Sequence, residues 1–346
     1  MRYSFKKASS LICIILFCCM FFISCSASND ANLSDKDNSS SPSSPQITKP
    51  SIDLDVIAAS PNISLKHVPV NKGEVVEESD HGVIDYSSAM DGYFMAKYTG
   101  EKTDGEMDIV ILVNTPNPEH PRYTYYLAQD GDFYAFPFSE GNGMYTIGMF
   151  KRLQGQDYVQ LMGIECSVSL GNELLPFLIS NYKVRYTEKS LSVKLATELI
   201  KEKTDFFDQV SSIYGYVVSN ISYDTSKATA AANGELQTYI PDNDQILRSR
   251  QGICFDYATL TTAMLRSVGI PTKVTFGFTS TGETADPVYH AWISVYSSES
   301  GWVDGVIEFS ADGWTRMDPT FSSSSNNKSM ANFIGDGDNY TDDLYF

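Results

Sequence analysis

The spacing of apolar and polar positions changes period along the chain. From Tyr86 to about Tyr186, short apolar runs recur between turn signals: "GYFMAKY", "DIVILV", "YTYYLA" followed by Asp130-Gly131, "FYAFPF" followed by Asn142-Gly143, "MYTIGMF" and "YVQLMGIECSVSL". Runs of this length, separated by glycine-containing turns, predict antiparallel strands packed as a sandwich. Beyond residue 186 the period lengthens. Leu191, Leu195 and Leu199 recur every four residues, and after Thr204 and Asp205, which suit a helix start, Phe206, Val210, Ile213 and Val217 repeat at spacings of four, three and four. Two amphipathic helices therefore precede "NISYD" at 220–224, and a polar loop follows.

The next segment, "GICFDYATLTTAMLRSVGIP" at 252–271, places Cys254, Ala258, Thr261, Leu265 and Val268 on one helical face, with Gly269 and Pro271 as a stop. The helix is predicted to begin at Cys254. In "YHAWISVY", His290, Trp292, Ser294 and Tyr296 alternate with Ala291, Ile293 and Val295, which predicts a strand with His290 near its start. A hairpin is expected around "GWVDGVIEF". "GWTRMDPTF" then supplies a second strand carrying Trp314, Arg316 and Asp318 on one face, with Pro319 ending regular pairing.

The beginning of the chain has another character. Arg2, Lys6 and Lys7 precede the apolar run Leu11–Ile23, the pattern of an export signal over residues 1–24 and too short for a comfortable membrane span. The run ends in Phe22-Ile23-Ser24-Cys25, which resembles the lipobox of bacterial lipoproteins, where cleavage precedes a cysteine that becomes lipid-modified. That resemblance implies lipidation of Cys25 and a protein anchored at the cell membrane, facing outside the cytoplasm. Residues 25–50 are rich in Ser, Asn, Asp and Pro, cannot bury enough apolar surface to fold, and read as a spacer. Residues 51–85 read as a partly ordered extension in which only Asp53–Ala58 looks regular.

Charge narrows the partners. The net charge is −18, and removal of residues 1–24 deletes three positive charges and no negative ones, leaving about −21. A nucleic-acid-binding surface is excluded on that balance, and an acidic body repelled by an anionic bilayer needs a lipid as its tether. Of the six cysteines, Cys13, Cys18 and Cys19 go with the leader and Cys25 with the lipid. Two remain: Cys166, in a strand-like run and read as a small buried hydrophobe, and Cys254. The pair could bridge, but two cysteines make no disulfide scaffold. His67, His81 and His120 are scattered without metal-ligand spacing and read as solvated surface histidines. No cofactor, metal or nucleotide is indicated, and "DGDNYTDD" near residue 340 reads as a solvated acidic tail rather than a calcium loop.

Cys254 stands where chemistry is favoured. Unpaired amides and the positive end of the helix dipole stabilise an anion in a first helical turn, so the sulfur is placed to act as a thiolate. Gly252 is expected to let the backbone bend and a substrate approach. A nucleophile of this kind needs a base and a group that orients the base. His290 is the only histidine that follows Cys254, and Asp318 could accept a hydrogen bond from one imidazole nitrogen while the other faces the sulfur. Tyr223 and the amide of Cys254 are candidate oxyanion donors; Asp256 and Tyr257 read as structural.

The ordered set "GxCxDxA…LRxxGIP…HAW…DPT", spanning Phe206 to Phe321, resembles the transglutaminase-like superfamily of papain-like cysteine enzymes, its bacterial exported members above all. The resemblance implies an α+β fold with the cysteine-bearing helix packed on an antiparallel sheet, here over residues 187–346 and preceded by the β-sandwich at 86–186. It implies a triad of Cys254, His290 and Asp318 and acyl transfer through a thioester. Many animal enzymes of the family have tryptophan directly after the cysteine; this chain has Phe255. Hydrolysis of a protein or peptide substrate, cell-wall peptide among the candidates, is the favoured outcome. Amine transfer, making the protein a crosslinker, is an alternative, and a non-catalytic surface binding or adhesion module is an alternative of another class.

Overall fold

The structure is a computed structural model that describes residues 2–4, 52–155, 157–280, 286–303, 307–309, 313–324, 334 and 338–346. Cys25 and the rest of the expected lipobox lie outside the described residues.

A short strand, β1 (Arg2–Ser4), and a one-and-a-half-turn helix, α1 (Leu54–Ala59), precede the strand-rich unit. Its strands are β2 (Val76–Ser79), β3 (Gly82–Asp85), β4 (Tyr93–Tyr98), β5 (Ile109–Asn114), β6 (Arg122–Tyr126), β7 (Tyr134–Pro137), β8 (Gly143–Gln154) and β9 (Asp157–Val168). They form two antiparallel sheets of order β2-β3-β4-β7 and β1-β9-β8-β5-β6. β2 and β3 fall in the stretch read as a partly ordered extension. Alternate residues of both sheets interdigitate in one core, with Phe94, Phe136, Ile111, Tyr125, Ile147 and Met149 almost wholly buried. Cys166 is a free thiol in this core, pushed up by burial alone.

The second unit begins with helices α2 (Leu191–Ile200) and α3 (Phe206–Asn220). Asp205 caps α3 by accepting from the N–H groups of Phe207 and Asp208. The stretch expected as a polar loop is more regular than that. It contains α4 (Thr225–Ala232) and α5 (Asn243–Ser249), started by the side-chain caps Asp224 and Asp242. Two two-residue strands, β10 (Ser222–Tyr223) and β11 (Gln251–Gly252), run parallel and bring the end of α3 beside the start of α6 (Cys254–Ser267). Ala258, Leu260, Ala263, Met264 and Leu265 of α6 have no exposed surface, and each of the larger side chains is worth roughly 1.5–3 kcal/mol by burial.

Helix α6 packs on a four-stranded antiparallel sheet of order β16-β13-β12-β17, made by β12 (Thr272–Thr279), β13 (Val288–Ser297), β16 (Gly313–Met317) and β17 (Tyr340–Tyr345). Val274, Ala291, Ile293 and Val295 share its core. The expected hairpin is present as β14 (Gly301–Val303) and β15 (Ile307–Phe309), with Phe309 packed on Phe206 and Phe207 of α3. The helix α7 (Pro319–Ser324) follows β16. The acidic stretch expected as a solvated tail is instead β17, an edge strand paired with β12. Its polar residues face outward while Tyr340 and the following Phe346 are buried.

The two units share a seam. Phe346 exchanges backbone hydrogen bonds with Val274, while its ring meets Tyr123 and Tyr125 of the sandwich edge-on at 5.4 and 5.8 Å. Buried Arg266 donates to the carbonyls of Thr272, Ile179 and Phe346 at 2.8, 2.8 and 2.6 Å. The seam also overturns the reading of His120 as solvated. Its side chain is 15% exposed, 3.4 Å from the buried Glu140 carboxylate and edge-on to Tyr345 at 5.2 Å. Glu140 accepts from Tyr345 and Asn117 at 2.8 and 2.7 Å. His81 is exposed and His67 half-buried.

Arg266→Met keeps most of the packing and removes the guanidinium that donates to three carbonyls, of which Phe346 retains the Val274 N–H. The substitution is expected to lower stability by about 3 kcal/mol, read as a shift of the urea midpoint. A loss below about 1 kcal/mol would show that other contacts hold the seam.

Candidate active site

Three elements bring the site together. α6 begins at Cys254, with Ile253 as its extended N-cap. Ile253 has no side-chain acceptor to offer the helix. Asp256, at the third helical position, instead turns back and accepts from the Ile253 N–H at 2.8 Å. Its carboxylate is fully buried and also accepts from Lys227 Nζ at 2.6 Å and from Tyr239 Oη at 2.5 Å. The structural reading of Asp256 holds, and its two partners were not foreseen. The reason for Gly252 differs from the expectation. A Cβ there would lie 2.6 Å from Asp256 Cβ, so the glycine makes room for the helix-starting carboxylate and not for a substrate. Tyr257 donates to the Ile221 carbonyl at 2.6 Å, which ties α6 to the end of α3.

β13 supplies His290, 7% exposed, and β16 leads into Asp318, which has no exposed surface. Met317 pairs with Ile293 in the sheet, so Asp318 stands at the point where β16 leaves β13. Pro319 does more than end pairing. It opens α7, a position that suits its fixed φ and missing N–H. Asp318 caps that helix, accepting from the N–H groups of Thr320 and Phe321 through Oδ1, both at 3.0 Å. Its other oxygen, Oδ2, lies 2.7 Å from His290 Nε2 and accepts from Tyr340 Oη at 3.0 Å. Backbone and phenol donors thus lock the carboxylate while one oxygen orients the imidazole, and Nδ1 is left for the sulfur.

The sulfur reaches that imidazole. Cys254 is a free, half-buried thiol that interacts with His290 both by charge and by hydrogen bonding. Burial alone would lower the His290 pKa. The negative charges of Asp318 and Cys254, with hydrogen bonds to both, outweigh it and hold the imidazolium up to about 10. The ring is fixed from the side by Phe321, stacked at 4.8 Å and 23°, and by Trp292 at 6.1 Å.

The structure therefore brings Cys254, His290 and Asp318 together. Tyr223 is placed near them through β10, opposite Gly252, and is half-buried against the core of the helical unit. Sequence reasoning missed Tyr340 and Phe321 around the imidazole. The alternation of Tyr340, Leu344 and Phe346 was a weak strand signal masked by the aspartates between them. It also missed Lys183, whose ammonium lies 6.0 Å from the ring of Phe255 and is pulled down to about 8, first by burial and then by Arg185.

An arrangement of thiol, imidazole and buried carboxylate can generate a nucleophilic sulfur and deliver a proton to a leaving group. A model of the Transglutaminase-like superfamily matches residues 193–319. The uncharacterized protein YebA of Bacillus subtilis (strain 168) is 32% identical over 123 residues, which is 32% of this chain and 16% of that protein's length. Among solved structures, a candidate cysteine protease of Cytophaga hutchinsonii is 14% identical, covers 69% of this chain and 77% of its own, and gives a TM-score of 0.37. The transglutaminase of red sea bream is 12% identical over 66% of this chain and 48% of its own, with a TM-score of 0.29.

Two outcomes are expected of this geometry. Because His290 binds its proton more tightly when folded, the stability it contributes is present in full below pH 6.5 and is lost as pH rises toward about 10. Urea midpoints should fall over that interval in the native protein and fall less in Asp318→Asn; parallel profiles would contradict the pairing. Gly252→Ala should displace Asp256 and cost about 2 kcal/mol or more, measured the same way; a neutral effect would mean that the cap is not held as described.

Proposed function

From the transglutaminase-like domain at residues 193–319, we propose that the protein is a cysteine acyl-transfer enzyme that hydrolyses amide bonds of protein or peptide substrates. The observation that carries this reading is the buried chain of Asp318, His290 and Cys254, with 2.7 Å between the first two and charge and hydrogen-bond coupling between the last two. Cys254 Sγ attacks the amide carbonyl carbon, and the electrons of the C=O π bond move to the oxygen. The amide of Cys254, with Tyr223 as a second candidate, receives that developing charge. His290 passes its Nδ1 proton to the departing amine nitrogen, the C–N bond breaks, and a thioester remains. Water then gives a proton to His290 as its oxygen attacks the thioester, releasing the acid and restoring the thiolate–imidazolium pair. Asp318 stays ionised throughout and keeps Nε2 in place.

The expected site of action is the outer face of the cell membrane, with Cys25 as lipid anchor and residues 26–50 as spacer. Peptides of the cell envelope are then the substrates within reach.

The test incubates the protein lacking residues 1–24 with glutamine-containing peptides, with and without a primary amine, and follows ammonia release and product mass. Cleavage or deamidation by water is expected, and Cys254→Ala should lower kcat/KM by roughly a thousandfold or more. Amine incorporation that outpaces reaction with water would make the protein a crosslinker instead. Alkylation of Cys254 at pH 7 is expected to be faster in the native protein than in His290→Ala. A slow, thiol-like profile together with equal behaviour of Cys254→Ser and native protein would reduce the domain to a binding module.

A further inference from the structure

The strand that carries His290 also holds a charge that the acyl-transfer chemistry does not use. Tyr289 precedes His290 in β13, is 39% exposed, and is close enough to Cys254 for the sulfur's charge to bear on its phenol. Its ring is rigidly backed: Phe276 lies nearly parallel at 6.2 Å and 24°, and Phe278 meets it edge-on at 5.2 Å. The phenol donates to Asp343 Oδ2 at 3.2 Å.

Asp343 owes its position to an irregularity in the sheet. Along β12, Phe276 pairs with Leu344 and Gly277 with Asp342, so the register shifts and Asp343 is the extra residue. A bulge of this kind re-aims a side chain, often beside an active site. The two adjacent aspartates also differ in their partners. Asp342 is paired with Arg316 at 3.5 Å, whereas exposed Asp343 has no cation partner among the described residues. Two lysines of the seam are held among aromatic rings. Lys183 is sequestered between the rings of Phe255 and Phe346 at 6.0 and 5.8 Å, and Lys273 between Trp314, Tyr345 and Phe177 at 4.2, 4.6 and 4.8 Å.

An uncompensated carboxylate held by a phenol, next to an exposed aromatic face, is a receptor for an ammonium or guanidinium group. The carboxylate supplies the charge and the Tyr289 ring a cation–π surface. We infer that Tyr289 and Asp343 form a specificity subsite that selects substrates bearing a positively charged group beside the bond attacked by Cys254. This rests on the reading of Cys254 as the nucleophile. It concerns selection alone: the triad performs the same chemistry with or without Asp343.

The inference is tested on the protein lacking residues 1–24 by the rate at which Cys254 is modified by methanethiosulfonate reagents of equal reactive group and different charge: trimethylammonium, neutral methyl and sulfonate. Cys254→Ser serves as the blank for Cys25 and Cys166. The native protein should favour the cationic over the anionic reagent. Asp343→Asn should reduce that ratio by roughly five- to tenfold, the order of the Coulomb effect of one solvated charge near a reaction centre, while the neutral reagent reacts at an unchanged rate. Tyr289→Phe, which keeps the ring and releases the carboxylate, should reduce the ratio by a smaller factor. Glu77→Gln, the same charge change on the exposed strand β2, should leave it unaltered. A ratio that Asp343→Asn does not move, or that Glu77→Gln moves equally, overturns the subsite and leaves the nucleophile intact. A Cys254 that reacts with no reagent overturns the acyl-transfer reading itself, and the subsite with it. In the peptide assay, lysine beside the reacting amide should outperform norleucine through KM, and Asp343→Asn should erase that preference; a persistent preference counts against the subsite.

Discussion

A carboxylate with no exposed surface must have every lone pair answered, and in this molecule that requirement organises the site. Asp318 is answered by two backbone amides of α7, by the Tyr340 phenol and by the His290 imidazole. The donors arrive from three parts of the fold: the turn into a helix, the edge strand β17, and the inner strand β13. Fixing the carboxylate therefore fixes the relative placement of three elements. The imidazole between it and Cys254 inherits that rigidity. A charged imidazole is tolerable in so buried a place because the Asp318 carboxylate and the Cys254 sulfur flank it, whereas burial on its own would favour the neutral ring.

A second buried carboxylate secures the other end of the apparatus. Asp256 holds the backbone just before Cys254, and Lys227 and Tyr239 hold Asp256. Cys254 is thus positioned through its own helix start, while His290 is positioned through the sheet. The face of α6 buried against β12 and β13 keeps the two in register. The sandwich joins this arrangement along the seam at Phe346 and Arg266.

Local periodicity was enough to read strands β4 to β9 of the sandwich, the helices α2, α3 and α6, and the strand with His290 near its start, because each has an apolar stripe contiguous in sequence; β2 and β3 fell in the stretch read as a partly ordered extension. Cys254, His290 and Asp318 were legible for a different reason: the helix-start position of the sulfur, the single downstream histidine and the Asp-Pro step made a pattern that resembles a known superfamily. What stayed illegible depends on long-range pairing. Tyr340 sits among aspartates whose charge suggested a solvated tail, and only pairing with β12 turns it inward. Gly252 reads locally as a hinge, and only Asp256 folding back over it reveals the steric cause. His120 looks solitary until Glu140 and Tyr345 close around it. α4 and α5 were hidden because their segments are mostly polar and owe their starts to Asp224 and Asp242, not to an apolar stripe.

The central claim is that folding places a protonated imidazole between a buried carboxylate and a sulfur. Its most direct measurement is the 15N spectrum of His290 followed through pH, in native protein and in Cys254→Ala. The account predicts both ring nitrogens protonated at pH 8 in the native protein, with titration well above 6.5, and a lower titration point once the sulfur is removed. A neutral, single-tautomer ring at pH 8 that titrates near 6.5 in both proteins would contradict it.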